Sequence, residues 1–300
     1  MTDPRAWRPT GLAWARGGVA LEWLSPAGDV RASDLHLGAR LSLEVGQDRR
    51  CTGLWWAGRR VPCTAQAPIV PQATSGQCDS CAAIARSRSV ATDTALDDPR
   101  EFTVYLAHHG SVVKVGITAT ERGPARLLEQ GALSSVILSA GTLLSARRCE
   151  ALLTAALGLP QQVRTARKRA ARFAPEPAAR RAEELSALAD RAGRLDWPDG
   201  QIRATAEPVD HTGTYGLAPA GITPEHQVAP LLPGTTIGGE VRCRIGRDLY
   251  LATSAGSVLV DTGLLEGWAL SRADGDTQFT AATSPVPEPA ATEDQHEALF

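Results

Sequence analysis

Hydrophobic and polar positions alternate near both ends of the chain, and this period of two predicts β-strands. In residues 1–50 the runs G-V-A-L-E-W-L and L-S-L-E-V lie between Gly, Pro and Asp turns, a pattern typical of a small antiparallel sheet. In residues 205–272 an irregular stretch rich in Pro, Gly and Thr precedes the run T-I-G-G-E-V-R-C-R-I. That run begins a predicted β-meander, which we expect to form a small barrel or sandwich.

The middle of the chain combines strand and helix periodicity. The run T-V-Y-L-A-H-H-G-S-V-V-K-V-G-I-T predicts two strands joined by a His-Gly turn, and hence a β-hairpin. Apolar residues then recur at helical spacing in 122–130, 146–157 and 178–195, with a strand predicted at 136–139. Hairpin, helix, strand and helix in one segment, with β-rich segments on either side, predict an α+β fold.

These patterns divide the chain into regions. The predicted order is an N-terminal β segment (1–50), a cysteine cluster resembling a zinc ribbon (51–90), a central core with a basic helix (100–195), a C-terminal β unit (205–272) and an acidic tail (273–300). The tail has six acids, no Lys or Arg and the run P-V-P-E-P, so we expect it to be disordered.

Composition narrows the class of protein. An apolar fraction of 43% and a charged fraction of 21% exclude a fibrous or wholly disordered chain. The first residues contain no apolar signal region, and no stretch is apolar enough to span a bilayer, so we predict a cytoplasmic protein without a membrane partner. Among 31 basic residues only Lys114 and Lys168 are lysines, which with abundant Ala and Gly indicates a GC-rich bacterial genome.

The net charge of −2 conceals an uneven distribution. Residues 100–181 contain 13 Lys or Arg against 5 Asp or Glu. A basic centre favours a polyanion such as nucleic acid, because basic side chains neutralise phosphates and release counterions. The densest run consists of Arg164, Arg167, Lys168, Arg169 and Arg172. The alternative is a charged helix face that is solvated or paired with the chain's own acids.

Four of the six cysteines lie close together in the sequence. Cys51, Cys63, Cys78 and Cys81 are spaced C-x11-C-x14-C-x2-C in a segment too irregular to form a core unaided. Reduced cysteines in the cytoplasm favour metal binding over disulfides, and a C-x2-C pair presents two sulfurs to one ion. We therefore predict a structural zinc ion with four cysteine ligands; buried or redox-active thiols are the alternative.

Polar candidates also occur in the predicted hairpin and the helices after it. They are Tyr105, Lys114, Arg122, Arg126 and Glu150. Gly116 in K-V-G-I-T is a position where a phosphate can approach the backbone closely. Two of these residues also have a structural interpretation, since Tyr105 suits a core and Glu150 can pair with Arg147 one helical turn earlier.

The segment T-V-Y-L…V-K-V-G-I-T…R-G-P-A-R-L-L-E-Q-G-A…R-R-C-E-A-L-L resembles the GIY-YIG endonuclease core over about residues 102–172. In particular it is similar to the branch whose second motif begins with lysine. The wider layout, from the cysteine cluster through K-V-G-I-T to R-L-L-E-Q-G-A, resembles the bacterial family of domain of unknown function 2797, over roughly residues 10–270.

The GIY-YIG resemblance implies a role for each candidate. Tyr105 matches the tyrosine that assists the attacking water, and Lys114 stands where the second motif has its tyrosine. Arg126, or else Arg122, matches the arginine that holds the scissile phosphate. Glu150 matches the carboxylate that binds Mg²⁺. This sequence departs from the pattern at Lys114 and at Gln130, where a His or Tyr often follows the arginine.

Three hypotheses follow. The first is a zinc-containing nucleic-acid-binding protein on a divergent GIY-YIG-like core, with the basic run and Arg122 contacting phosphates. The second is an endonuclease that uses Mg²⁺ on Glu150. The third is a protein-interaction scaffold in which residues 164–172 pair with the chain's own acids.

Overall fold

The computed structural model describes residues 6–15, 18–56, 58–87, 98–205, 207–273 and 278–286. Its sheets and helices confirm the predicted α+β class. Among the helices in these ranges, none is long and apolar enough to cross a membrane.

The central unit is an antiparallel sheet covered by helices. Its strands are β7 (Phe102–His108), β8 (Val113–Ala119), β9 (Ser134–Gly141), β10 (Gln201–Arg203) and β11 (Val209–Asp210). Its helices are α2 (Gly123–Glu129), α3 (Leu143–Leu157), α4 (Thr165–Ala170) and α5 (Ala178–Gly193). The strand order is β10-β9-β7-β8, and β11 also pairs with β9. The predicted hairpin, helix, strand and helix are all present.

Strand β7 is buried along its whole length because both faces of the sheet are covered. Val104 and Leu106 pack on one face with residues of α3 and α5. Tyr105 and Ala107 point to the other face, where Leu127 of α2 covers them. Alternate side chains of β7 therefore lie in two different hydrophobic cores, and this explains the unbroken apolar run in the sequence.

The terminal regions form one β structure rather than separate units. A three-stranded sheet contains β1 (Arg8–Ala15), β2 (Gly18–Leu24) and β3 (Val30–Asp34). A seven-stranded sheet contains β4 (Arg40–Arg49), β12 (His226–Val228), β13 (Thr236–Ile245), β14 (Asp248–Thr253), β15 (Gly256–Asp261), β16 (Trp268–Arg272) and β17 (Thr283–Pro285). Side chains of both sheets share one hydrophobic core.

Strand β4 is the reason that the predicted division at residues 1–50 and 205–272 does not hold. It lies between β16 and β13, with Glu44 opposite Thr236 on one side and Val45 opposite Leu270 on the other. Its partners lie far along the chain, so local periodicity identified the strand but not the sheet to which it belongs. The short helix α6 (Thr212–Tyr215) precedes the C-terminal strands.

The start of the predicted disordered tail is also part of this sheet. Residues 283–285 form β17, which pairs antiparallel with β12. Thr236 accepts further backbone hydrogen bonds from Thr280 and Ala281. These paired backbone groups explain why residues 278–286 are ordered despite their polar composition. Residues 274–277 and 287–300, which together make up most of the predicted tail, lie outside the described residues.

Candidate functional site

The four clustered cysteines lie on a small substructure beside the large sheet. The hairpin of β5 (Leu54–Trp56) and β6 (Arg59–Val61) and the helix α1 (Asp79–Ser87) supply its regular elements. Cys51 precedes the hairpin, Cys63 follows it, and Cys78 and Cys81 lie at the start of α1. Apart from the cysteines, the small core here has few large apolar side chains, among them Leu54 and Ile69.

The geometry of the sulfurs suits one metal ion. All four Sγ atoms lie within 4.8 Å of one another, and those of Cys63 and Cys78 are 4.0 Å apart. The backbone N–H groups of Cys78 and Gly53 donate to the Sγ of Cys51, at 3.2 and 3.4 Å. Such donors stabilise a thiolate, which is the form that binds metal.

Position 53 in this loop must be glycine. Its φ is +75°, and a Cβ there would lie 1.9 Å from the carbonyl oxygen of Val61. The C-T-G sequence therefore allows the chain after Cys51 to pass close to the strand that leads to Cys63.

Three of the four thiols have shifted pKa values, and the shifts differ in direction. Burial raises the pKa of Cys51, and burial together with its sulfur neighbours raises that of Cys81. Burial opposes the ionisation of Cys63 as well, yet hydrogen bonds from the backbone of Ala67 and from neighbouring thiols lower its pKa to about 7. Crowding of like charges disfavours a second thiolate beside the first when no cation is present.

A second cluster lies where β7, β8, α2, α3 and α4 meet. We call it the Lys114 site, and it consists of Tyr105, Lys114, Arg126, Gln130, Glu150 and Lys168. Tyr105 and Gly116 are cross-strand neighbours in the hairpin. The Tyr105 hydroxyl accepts a hydrogen bond from Nε2 of Gln130 at 2.8 Å.

The two lysines approach the cluster from different elements. Lys114 on β8 is 8% exposed, and its Nζ lies 5.7 Å from the centre of the Tyr105 ring. The same Nζ makes a long hydrogen bond of 3.4 Å to the carbonyl oxygen of Gln161. Lys168 on α4 donates from Nζ to the carbonyl oxygen of Gln130 at 3.0 Å. Gln130 thus connects Lys168 to Tyr105, and Tyr105 lies beside Lys114.

Positive charge dominates the Lys114 site. Burial and then the charge of Arg126 lower the pKa of Lys114 to about 8, although Glu150 opposes the shift. Burial and then the charge of Lys114 lower the pKa of Lys168 to about 8. Burial raises the pKa of Glu150 despite the opposing charge of Lys114. The two lysines therefore repel each other, and each loses part of its hydration.

The family described as "Protein of unknown function (DUF2797)" matches residues 38–270, which is more than half of the chain. The chain belongs to this family. The DUF2797 region contains both the cysteine cluster and the Lys114 site. Comparisons with curated proteins and with solved structures found no match. The predicted resemblance to the DUF2797 family is thus confirmed, while the resemblance to GIY-YIG endonucleases stays a prediction.

Two arginines that we assigned to nucleic acid face inward in the DUF2797 region. Arg172 is 3% exposed and binds the buried carboxylate of Asp248 at 2.5 Å, and it also contacts the Tyr250 hydroxyl. Arg169 binds both Asp248 and Asp261. These ion pairs connect α4 to the seven-stranded sheet, so Arg169 and Arg172 are structural links rather than a phosphate-contacting surface.

The remaining basic candidates keep some exposure to solvent. Arg164 and Arg167 are exposed near the start of α4, and neither forms an ion pair within the described residues. Arg122 and Arg126 lie on α2 or directly before it, and both contact Glu129, at 2.6 and 3.3 Å. These four arginines can therefore still reach an incoming anion, two of them after exchanging a carboxylate partner for it.

A group of one histidine and two glutamates also has the composition of a metal site, although no sequence pattern indicates it. Ligand atoms of His108, Glu176 and Glu184 lie within 4.8 Å of one another. However, Nδ1 of His108 accepts the N–H of Gly110 at 3.0 Å, so Nε2 carries the proton and donates to Glu184 at 2.9 Å. With Nε2 protonated, the imidazole has no lone pair free for a metal, and the group is a hydrogen-bonded pair.

The sequence pattern does not predict that Lys168 and Gln130 belong to the Lys114 site. In the sequence Lys168 is one member of a basic run, and Gln130 is a departure from the GIY-YIG-like pattern. One available signal was that Lys114 and Lys168 are the only lysines of the chain. His109 also lies near both lysines, and burial and their charges hold its pKa well below the usual value, so it is neutral.

Proposed function

We propose that this DUF2797 protein binds nucleic acid through the Lys114 site and that a zinc ion on its four clustered cysteines stabilises residues 51–87. The observation that carries the binding proposal is the pair of lysines. Lys114 is buried, Lys168 is half-buried, and the two repel each other. No carboxylate contacts either Nζ in the part of the chain that the structure describes.

A phosphate supplies what this site lacks. Buried charges are costly unless they are paired, and two ammonium groups near one guanidinium favour an anion with several acceptor oxygens. Arg126 is partly exposed beside the lysines, so its guanidinium can contact the same anion. A single phosphate group in the site would reverse the repulsion between Lys114 and Lys168.

Exposed arginines extend the proposed surface beyond one phosphate. Arg164 and Arg167 lie one turn or less before Lys168 and are open to solvent. Contacts of this kind position a nucleic-acid backbone without reading its sequence. A chain of phosphates, rather than a free anion, is the ligand that uses both the buried lysines and these exposed arginines.

The topology of the central unit supports a divergent GIY-YIG-like core as part of this proposal. A hairpin, a helix, a strand and a second helix follow one another, and the three strands form an antiparallel sheet in the order β9-β7-β8. Tyr105, Lys114, Arg126 and Glu150 come from four elements of that unit, β7, β8, α2 and α3.

The cysteine cluster fits zinc better than a dry thiol core. Four sulfurs bound to zinc at about 2.3 Å in a tetrahedron are about 3.8 Å apart. The Cys63–Cys78 distance of 4.0 Å and the 4.8 Å limit for the whole set are close to that spacing. A bound Zn²⁺ would neutralise the thiolates and replace the missing hydrophobic core of residues 51–87.

The endonuclease hypothesis stays a prediction, and the surroundings of Glu150 weigh against its metal. Mg²⁺ prefers several oxygen ligands, usually including carboxylates. Among the described residues, Glu150 belongs to no group of three potential ligands, and its charged neighbours are Lys114 and Arg147. These surroundings do not favour a magnesium ion at Glu150.

The scaffold hypothesis is favoured by one observation, the pairing of Arg169 and Arg172 with Asp248. It does not account for Lys114 and Lys168, which have no acidic partner among the described residues, or for the exposed Arg164 and Arg167. Nucleic-acid binding accounts for all four.

Fluorescence anisotropy with labelled single-stranded DNA, duplex DNA and RNA tests the proposal. We expect affinity to fall steeply between about 50 and 200 mM salt, and the double variant Lys114→Gln/Lys168→Gln to bind at least about tenfold more weakly to every sequence. The matched control is Arg180→Gln/Arg191→Gln, which removes two charges from exposed positions of α5. Equal binding by both double variants would contradict the proposal.

A further inference from the structure

The distribution of lysine in this chain is informative once the structure is known. Of 31 basic residues, 29 are arginines, and the two lysines meet in the Lys114 site. Arginine serves as well as lysine for binding phosphate and often better, because its planar guanidinium makes paired hydrogen bonds. Arginine cannot lose its proton in a protein, whereas a lysine amine can. At position 114, where the amine is buried, a lysine therefore points to a role for a neutral amine.

The surroundings of Lys114 favour that neutral amine. Its Nζ is buried against the Tyr105 ring, and its one hydrogen bond within the described residues is the long contact with Gln161. No carboxylate there pairs with it, and both Arg126 and Lys168 add positive charge nearby. With a pKa of about 8, roughly half of the Lys114 side chains are neutral at pH 8, compared with well under one in a hundred for an ordinary lysine.

We propose that Lys114 is a nucleophile that forms a Schiff base with an aldehyde located next to a phosphate, the group that an abasic site in nucleic acid presents. This inference rests on the proposed function for delivery of the phosphate. Burial and a neighbouring cation are the two conditions that activate lysine for attack on a carbonyl. The phosphate beside the aldehyde would be held by Arg126 and Lys168. Loss of the Lys114 proton removes one of the charges that lower the pKa of Lys168, so Lys168 keeps its own proton more readily while Lys114 reacts.

The reaction needs no oxidant or reductant. The neutral Nζ adds to the aldehyde carbon, the amine loses a proton and the oxygen gains one, which gives a carbinolamine. Loss of water then leaves a carbon–nitrogen double bond. Removal of a proton from the adjacent sugar carbon expels the 3′ phosphate oxygen and breaks the strand. Water finally adds to the imine, which restores the amine and releases the unsaturated aldehyde.

Glu150 is the group suited to move the proton. It lies on α3, it is partly exposed, and burial raises the pKa of its carboxyl despite the opposing charge of Lys114. A carboxylate with a raised pKa is a better base than an ordinary one. Glu150 can therefore accept the sugar proton. Tyr105 is held in place by the hydrogen bond from Gln130, and its ring lies against Lys114.

Reductive trapping tests the inference. The full chain is incubated with an oligonucleotide that contains one abasic site, in the presence of cyanoborohydride, which converts the imine to a stable amine bond. We expect a covalent adduct whose mass maps to Lys114. Lys114→Arg retains the charge, so it should bind the oligonucleotide but lose at least about tenfold of the adduct. Arg180→Gln, at an exposed position of α5 outside the site, should retain both binding and adduct.

A parallel incubation with glyceraldehyde 3-phosphate distinguishes the source of the aldehyde. Trapping at Lys114 by the abasic oligonucleotide supports the nucleic-acid substrate. Trapping by the free sugar phosphate alone overturns that substrate and assigns the Schiff base to a small-molecule aldehyde.

An adduct that maps to Lys168 or to the N-terminus overturns the inference, as does an abasic oligonucleotide that binds without trapping at Lys114. If neither an intact nor an abasic oligonucleotide binds, the proposed function fails instead, and the sugar-phosphate arm still tests Lys114. Adduct mapping on the unaltered protein keeps the result independent of how the variants fold.

Discussion

The hydroxyl of Tyr105 fills the space above Gly116 on the neighbouring strand. A Cβ at position 116 would lie 2.6 Å from that oxygen and 2.7 Å from the ring carbon that carries it. The glycine in K-V-G-I-T is therefore a packing requirement of the tyrosine, and it is not the point of phosphate approach that the sequence suggested. Gln130 donates a hydrogen bond to the same hydroxyl, so this bond and the packing against Gly116 together fix the position of the Tyr105 ring in the Lys114 site.

Gly116→Ala should destabilise the fold by about 1–3 kcal/mol, because overpacking forces the Tyr105 ring away from Gln130. Urea unfolding monitored by circular dichroism measures this loss. Gly193→Ala is the matched control, since nothing lies within 4 Å of a Cβ there. In that helical position the change should leave stability equal or raise it by up to about 1 kcal/mol. If Gly116→Ala and Gly193→Ala change the free energy of unfolding by the same amount, the space beside Tyr105 can accommodate a Cβ at position 116.

Lys114→Met should raise the free energy of unfolding at pH 7 by about 2 kcal/mol, since it removes a buried charge whose pKa is lowered to about 8. The unfolded chain binds more protons than the folded one between pH 8 and about 10.4, so this lysine makes stability rise with pH across that window. The advantage of the variant should therefore shrink from pH 8 upward. Unfolding of both proteins at several pH values tests this, with Arg180→Met as the surface control.

Asp248→Asn should cost about 3–5 kcal/mol, because it leaves the buried Arg172 without its carboxylate. Burial alone would raise the pKa of Asp248, yet the charges of Arg172 and Arg169 hold it below the usual value. A carboxylate with a lowered folded pKa stabilises the fold above about pH 3.9 and loses that effect as pH falls through the folded value.

The Asp248→Asn variant should therefore show a weaker loss of stability between pH 4 and pH 2 than the unaltered protein. Asp199→Asn, at an exposed position, is the control and should change neither the stability at pH 7 nor the acid limb. An acid limb that is the same in all three proteins would mean that the Asp248 ion pairs do not govern acid unfolding.

Protein purified without added metal should contain about one equivalent of zinc, and chelation should release it with loss of structure in residues 51–87. Elemental analysis and hydrogen exchange measure the two effects. Cys63→Ser should lower the zinc content, whereas Cys149→Ala, buried in α3 outside the cluster, should retain it. Less than about half an equivalent, with all four thiols titratable in the native protein, would contradict a zinc site.

The sequence alone predicted the structure correctly wherever the interacting residues are close along the chain. The hairpin, helix, strand and helix of the central unit follow their periodicity, and the four cysteines meet because they belong to one short segment. In contrast, Arg169 and Arg172 lie more than seventy residues before Asp248, and nothing in the basic run distinguishes them from Arg164 and Arg167. Pattern alone shows that residues are charged, but only the fold shows which of them face a carboxylate.

The same limit applies to the Lys114 site. Its members come from five elements, and Lys168 joins them because α4 packs beside the end of α2, through the bond to the Gln130 carbonyl. A sequence shows that the chain contains two lysines, but their mutual repulsion exists only after folding brings the ammonium groups together.

The position of β4 has a consequence for how the chain is made. On the ribosome β4 is complete at Arg49, whereas β13 begins at Thr236 and β16 at Trp268. At ordinary rates of synthesis, roughly ten to forty seconds separate β4 from its first partner. Meanwhile β7, β8 and β9 are all present once Gly141 has emerged, so the central sheet can close while β4 still has two unpaired edges. The nascent chain thus carries an unpaired strand until β13 and β16 have been made, and its free edges are a site for aggregation during that interval.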